Sequence, residues 1–250
     1  MPLQGVPAVI EIYGEFLEGL RGTEEDTHIN VIGWFDRAER GPLVVTPRKI
    51  RKINPKLGKR GVFSLRSPVR PNPLSLSVTR LLRVETPLLY VEALDLIDAS
   101  PIIDIKPYSA GWDAVFWARD KHSCLVAQDA VSEEAFAALT REAYNFHGER
   151  CAATAAAARI VYDAAIELES DLRDLTLELP RNADPHLVDS LIGTTRATPG
   201  NARLSICGDT REVIISSLGR SISYRLLDIL DWDPTRILSS PPETLFERVG

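Results

Sequence analysis

Arg66-Ser67-Pro68-Val69-Arg70-Pro71-Asn72-Pro73 places three prolines within six residues. Each proline fixes its own φ, lacks an N–H donor and pushes the preceding residue toward an extended conformation, so no helix can run through this stretch. A second string, Asp95-Leu96-Ile97-Asp98-Ala99-Ser100-Pro101 running into Asp104-Ile105-Lys106-Pro107-Tyr108, carries the same punctuation and also reads as loop-forming. A stiff loop holds its polar side chains still. Two arginines and an asparagine on such a loop can present forked donors to a carboxylate, a phosphate or a ribose at little entropic cost.

The surrounding chain fits short strands. Val9–Tyr13, His28–Phe35, Leu43–Thr46, Gly61–Leu65, Leu74–Val84 and Leu88–Asp95 are β-branched or aromatic runs separated by turn residues, a pattern of barrels and sandwiches. Phe16–Leu20 reads as a short helix or turn. After Tyr108 the character changes. Ser132-Glu133-Glu134 precedes a capped helix, and the alanine-rich stretch from Cys151 through Leu168 repeats Ile160, Val161, Ala164, Ala165 and Leu168 on one face. Leu175–Leu179, Leu204–Ile206 and Val213–Ser217 read as strands, and Leu187–Ile192 as a short helix. The expected fold is α+β: a small, mostly antiparallel β-barrel over residues 1–118, an α/β domain over 132–238 and a proline-containing tail over 239–250.

The composition, 44% hydrophobic and 26% charged, is enough for a buried core. No run of roughly 18 apolar residues occurs, and Met1-Pro2-Leu3-Gln4-Gly5 lacks the pattern of a secretory signal, so the chain reads as cytoplasmic with no membrane partner. Cys124, Cys151 and Cys207 are odd in number and widely spaced, which suits reduced thiols better than a disulfide framework. A net charge of −6 argues against a protein that coats nucleic acid, yet RKIRKINPKLGKR from Arg48 to Arg60 holds seven basic residues and no acidic one. That patch is either a solvated loop or a contact for an anionic ligand such as an RNA backbone. Neither G-x-G-x-x-G, G-x-x-x-x-G-K-[ST], H-E-x-x-H nor G-x-S-x-G is present, so the usual nucleotide loops and hydrolase motifs are disfavoured.

Gly61 through Pro73, Leu76-Ser77-Val78, Leu94 through Asp98 and Asp104 through Tyr108 closely resemble the TsaA-like (TrmO) family. That family comprises S-adenosylmethionine-dependent methyltransferases acting on threonylcarbamoyladenosine beside the tRNA anticodon. The resemblance spans about residues 9–112. It implies a barrel that forms a homodimer and binds S-adenosyl-L-methionine near the interface of the two copies, with tRNA as partner. By carry-over, Arg66, Arg70, Asn72, Asp95, Lys106 and Tyr108 would hold the cofactor. Asp98 or Asp104 would accept a proton from the attacking nitrogen; the competing reading is that these aspartates cap turns. The family's Ile-Gly after R-P-N-P is here Leu74-Ser75, its Asp-Gly-Thr-Pro is Asp98-Ala99-Ser100-Pro101, and its initial strand with a proline-arginine-glutamine motif is not found ahead of the matched part. A small-molecule acceptor, or a non-catalytic nucleoside- or metal-binding protein, are the alternatives.

The second half resembles a domain of formylmethanofuran dehydrogenase, through Asn145-Phe146-His147-Gly148-Glu149-Arg150-Cys151 and Asp189 through Thr195 with Pro199-Gly200-Asn201. Against that family's F-H-G-H-x-C the second histidine is Glu149, and the downstream cysteine positions are Ala183 and Thr194. The resemblance implies a degenerate accessory domain. His147, Cys151 and His186 are the weak candidate metal ligands, with packing and helix capping as the alternative.

Overall fold

A computed structural model of the chain describes residues 5–47, 58–116, 118, 133–208 and 212–249. The described residues divide into two compact units, the first reaching to residue 118 and the second running from residue 133 onward. The basic positions Arg48, Lys49, Arg51, Lys52 and Lys56, as well as Cys124, lie outside the described residues.

The first unit contains β1 (Val6–Glu11), β2 (His28–Trp34), β3 (Val44–Val45), β4 (Arg60–Gly61), β5 (Leu74–Glu85), β6 (Leu88–Leu94), β7 (Ile102–Pro107) and a single-turn helix α1 (Ala110–Asp113). Five strands form one antiparallel sheet in the order β1-β6-β5-β2-β7, and β3 pairs with β4 separately. β2 shows why. Ile29, Val31 and Gly33 alternate onto the core face while Asn30, Ile32 and Trp34 take the other, the period-2 pattern of a half-buried strand. Ile10, Ile29, Val31, Leu81, Leu89 and Val91 form the centre of this core. β5 places two polar residues, Ser75 and Thr79, on its buried face. Each is satisfied by a backbone donor: Gly33 N–H to Ser75 Oγ at 2.9 Å and Ala93 N–H to Thr79 Oγ1 at 3.2 Å.

Two expectations for this half change. Gly61–Leu65 is not a strand: a 3-10 turn over Val62–Ser64 follows the two-residue β4. The string from Asp104 to Tyr108 is not a loop, because Ile102–Pro107 is an edge strand, where proline is tolerated at the final position. Among the described residues the ladders run β1-β6-β5-β2-β7, and none is recorded between β1 and β7.

The second unit contains α2 (Glu133–His147), α3 (Ala152–Glu167), β8 (Thr176–Pro180), α4 (Pro185–Thr195), β9 (Leu204–Cys207), β10 (Val213–Ser217), β11 (Arg220–Leu226), α5 (Pro234–Ser239) and β12 (Phe246–Val249). Its sheet runs β12-β11-β10-β8-β9, antiparallel except for β8 with β9. α3 is buried along most of its length, with six alanines in Ala152–Ala158 all inside. Small side chains all round are what a helix needs to pack between α2 and α4. Gly148, at φ 90°, makes the turn that ends α2 and lets the chain enter α3.

The expected helix over Leu187–Ile192 is the middle of a longer α4, started by Asp184, whose carboxylate accepts from Leu187 N–H at 3.1 Å. Residues 239–250 are not a tail. Leu245 and Phe246 are buried and β12 pairs with β11, so Pro241-Pro242 only interrupts the chain between α5 and an edge strand. No helix among the described residues is long and apolar enough to cross a membrane.

Candidate functional site

The two proline-containing strings meet at one end of β2. Pro73, which closes the first, accepts from Phe35 N–H at 2.8 Å; Pro101, which closes the second, accepts from Trp34 N–H at 2.9 Å. Gly33 sits between them with no room for a side chain. A Cβ there would lie 2.7 Å from Ser75 Oγ, 3.1 Å from Leu96 Cδ1 and 3.3 Å from the Pro101 carbonyl oxygen. A glycine inside a strand often marks such a close approach, and this is the position that sequence reasoning passed over.

The first loop is braced by the side chains expected to bind ligand. Arg66 Nη1 donates to the Leu76 carbonyl and Arg70 Nη1 to the Leu65 carbonyl, each at 3.3 Å. A guanidinium carries five donors, more than either bond uses, so bracing and ligand binding are compatible. Asn72 is exposed, and its carbonyl accepts from Leu74 N–H at 2.7 Å in the turn into β5. On the second loop Asp95 follows β6, and Asp98 precedes Ala99, which is held at φ 61°. This left-handed position explains the glycine that the resembling family carries there. Replacing Ala99 with glycine is expected to raise stability by about 0.5 kcal/mol, the relief of strain outweighing glycine's extra unfolded-state freedom. Thermal unfolding of the variant beside the parent checks it, and a lower midpoint would contradict it.

β7 carries the remaining candidates away from the junction. Ile102 lies opposite Gly33, Asp104 opposite Ile32, Lys106 opposite Asn30 and Pro107 opposite Ile29. At about 3.3 Å per residue, the Lys106 backbone is roughly 13 Å along the strand from the Trp34 end, and Tyr108 roughly 20 Å. The structure therefore joins Arg66, Arg70, Asn72, Asp95 and Asp98 through the roots of two loops, places Asp104 nearby, and sets Tyr108 at the far end. There Tyr108 N–H donates to the His28 carbonyl at 3.0 Å and its ring meets His28 edge-on at 6.5 Å.

Asp104 and Lys106 share one face and form an exposed ion pair at 2.8 Å. The hydrogen bond from Lys106, aided by the Ile105 N–H, holds the Asp104 carboxyl below its ordinary range. Asn30 and Asp113 were also missed. Asn30 Nδ2 reaches the Pro107 carbonyl and Asp113 Oδ2, each at 3.4 Å, and the same Oδ2 accepts from Ser109 N–H at 2.8 Å, tying β2 to the exit of β7. In the second unit, His147, Cys151 and His186 come together, with their ligand atoms within 4.8 Å of one another.

Residues 2–114 match the family described as the tRNA-methyltransferase O N-terminal domain, seven residues earlier than the resemblance visible in the motifs. A probable S-adenosyl-L-methionine-binding protein of Methanothermobacter thermautotrophicus is 45% identical over 106 residues, which are 42% of this chain and 72% of that protein. One of the same description from Archaeoglobus fulgidus is 38% identical over 142 residues, 57% of this chain; the chain spans only 36% of that protein's length. Among solved structures, TrmO from Pseudomonas aeruginosa is 31% identical over 48% of this chain and 52% of its own, at a TM-score of 0.38. The chain therefore belongs, through residues 2–114, to the tRNA-methyltransferase O N-terminal domain family.

Proposed function

We propose that the first unit is a methyltransferase domain that binds S-adenosyl-L-methionine where its two motif loops meet. The observation that carries this reading is the pair of backbone hydrogen bonds from Trp34 and Phe35 to Pro101 and Pro73. They hold an Arg/Arg/Asn loop against an aspartate-bearing loop. Family membership and the names of the archaeal relatives support the choice of ligand.

In this reading Arg66 and Arg70 bind the donor's carboxylate, Asn72 and Asp95 its ribose hydroxyls or α-amino group, and Lys106 and Tyr108, farther along β7, the donor's outer end. Methyl transfer is an in-line displacement: the acceptor nitrogen forms a bond to the methyl carbon as the carbon–sulfur bond breaks, and the electron pair leaves with the neutral thioether. Its rate depends mostly on positioning. The nitrogen's proton passes to a carboxylate or to water. Asp98 or Asp104 is the candidate base, and the Lys106 hydrogen bond weakens Asp104 as a proton acceptor.

The acceptor in this proposal is a modified adenosine of tRNA beside the anticodon, and the basic segment from Arg48 to Arg60 is its phosphate contact. The protein would work in the cytoplasm as a homodimer. Leu74, Leu76 and Val78, each 44–50% exposed on the outward face of β5, form an apolar stripe suited to a second copy, and the sheet would curl into a barrel-like wall around the site. The second unit would serve as an accessory domain.

Nucleoside mass spectrometry of tRNA after incubation with protein and donor tests the whole reading. A new methylated adenosine is expected, lost on joint charge reversal at Lys52, Lys56 and Lys59. Intact donor binding with unmodified tRNA would redirect the acceptor to a small molecule, and no donor binding at millimolar concentration would end the methyltransferase reading.

A further inference from the structure

Three helix ends in the second unit converge on a set of side chains that methyl transfer does not use. His147 is the last residue of α2, Cys151 is the N-cap of α3, and His186 lies in the first turn of α4. His147 Nε2 is 2.7 Å from His186 Nδ1, and Cys151 Sγ is 3.9 Å from the same nitrogen. Ligand atoms at 2.0–2.3 Å from a tetrahedral zinc are roughly 3.3–3.6 Å apart. The two separations bracket that range, and small side-chain rotations bring both into it.

A hydrogen bond between two neutral imidazoles would account for the 2.7 Å contact alone. It leaves two other facts without a reason. The His147 side chain is only 8% exposed, yet its Nδ1 makes no hydrogen bond, and the nearest acidic oxygen, Asp189 Oδ2, stands 3.4 Å away. A histidine that ligates a metal through one ring nitrogen directs the other toward a carboxylate or carbonyl, which is how His147 lies between His186 and Asp189. Cys151, in turn, has its sulfur at the positive end of α3, where negative charge is favoured.

The geometry points to a binding site for a borderline divalent cation of the zinc and cobalt class. His147 Nε2, Cys151 Sγ and His186 Nδ1 supply three ligands, and Asp189 orients His147. Two imidazoles and a thiolate select this class over magnesium or calcium. With His186 exposed, the fourth position opens to water or an exchangeable ligand.

Titration of the reduced, tag-free 250-residue chain with cobalt(II) tests the site without reference to donor binding. One equivalent is expected to give a thiolate-to-cobalt charge-transfer band and intense tetrahedral visible bands, both removed by one equivalent of zinc. Cys151→Ser should abolish the charge-transfer band, and His186→Ala should weaken binding at least tenfold. Asp189→Asn should weaken it by about 10–100-fold while keeping the spectrum. Circular dichroism establishes that each variant is folded. Absence of the band in the parent, its survival in Cys151→Ser, or its loss in Cys124→Ser or Cys207→Ser would overturn the assignment.

Discussion

Gly33→Val is expected to weaken S-adenosyl-L-methionine binding by at least about tenfold while leaving the helical second unit folded. Even a Cβ at this position meets Ser75 Oγ at 2.7 Å, and behind it stand Leu96 Cδ1 and the Pro101 carbonyl oxygen. Ser75 cannot turn away freely, because its Oγ accepts the Gly33 N–H at 2.9 Å on the buried face of β5. Two further methyl groups must push the Pro73 and Pro101 ends of the motif loops apart. Overpacking of this kind costs about 1–3 kcal/mol, and 1.4 kcal/mol is a factor of ten when the strain is relieved by moving the site. Gly19→Ala is the control, since nothing lies within 4 Å of the added Cβ. Calorimetric titration with the donor measures the effect. Unchanged affinity in Gly33→Val would show that the junction at β2 does not position the binding groups. A second substitution, Ser75→Ala in a Gly33→Ala background, should recover part of the loss, because it removes the shortest contact but leaves Pro101 in place.

The local pattern made much of the first unit legible. β2, β5 and β6 are long runs whose apolar alternation or β-branched content names them as strands, and the observed bounds fall within a residue or two of the expected ones. The motif loops carry their own chemistry in Arg66, Arg70 and the flanking prolines. Long-range pairing was harder to see. Asp104 to Tyr108 looked like loop because Pro107 punctuates it, yet β2 supplies a partner for an edge strand that ends at that proline. Gly33 has no side chain to announce its role, and its importance appears only when Ser75 and Pro101 are folded against it. In the second unit, Ile222, Tyr224 and Leu226 alternate along β11 and could have been read as a strand. β12 could not, because its four residues gain their meaning from β11 alone. The metal candidates His147, Cys151 and His186 were visible as residue types, whereas their convergence required the packing of α2 and α4 around α3.

Asp163→Ala should lower the stability of the second unit by about 2–3 kcal/mol, a fall in its unfolding midpoint of roughly 5–10 °C. The carboxylate sits on α3 with its side chain 9% exposed, and it joins two strands to that helix. It accepts the Tyr224 hydroxyl at 2.8 Å, Arg248 Nε at 3.0 Å and Arg248 Nη2 at 2.5 Å. Tyr224 is fully buried, so without Asp163 its O–H loses its acceptor in a place water does not reach. Arg248 is 45% exposed and also pairs with Glu167 at 3.0 Å, so its loss adds less. A double-mutant cycle separates the two contributions: in a Tyr224→Phe background, Asp163→Ala should cost at least about 1 kcal/mol less. The pH dependence gives a second check. Burial, then the charge of Asp163, pushes the Tyr224 hydroxyl well above its ordinary value, so the folded state holds the proton more tightly than the unfolded chain. Its contribution is complete below about pH 10, the unfolded value, and declines as the pH rises beyond it. Stability of the parent should therefore fall more steeply above pH 10 than that of Tyr224→Phe, as followed by urea unfolding monitored through helix content. Parallel curves would mean that the folded state does not hold the Tyr224 proton more tightly than the unfolded chain.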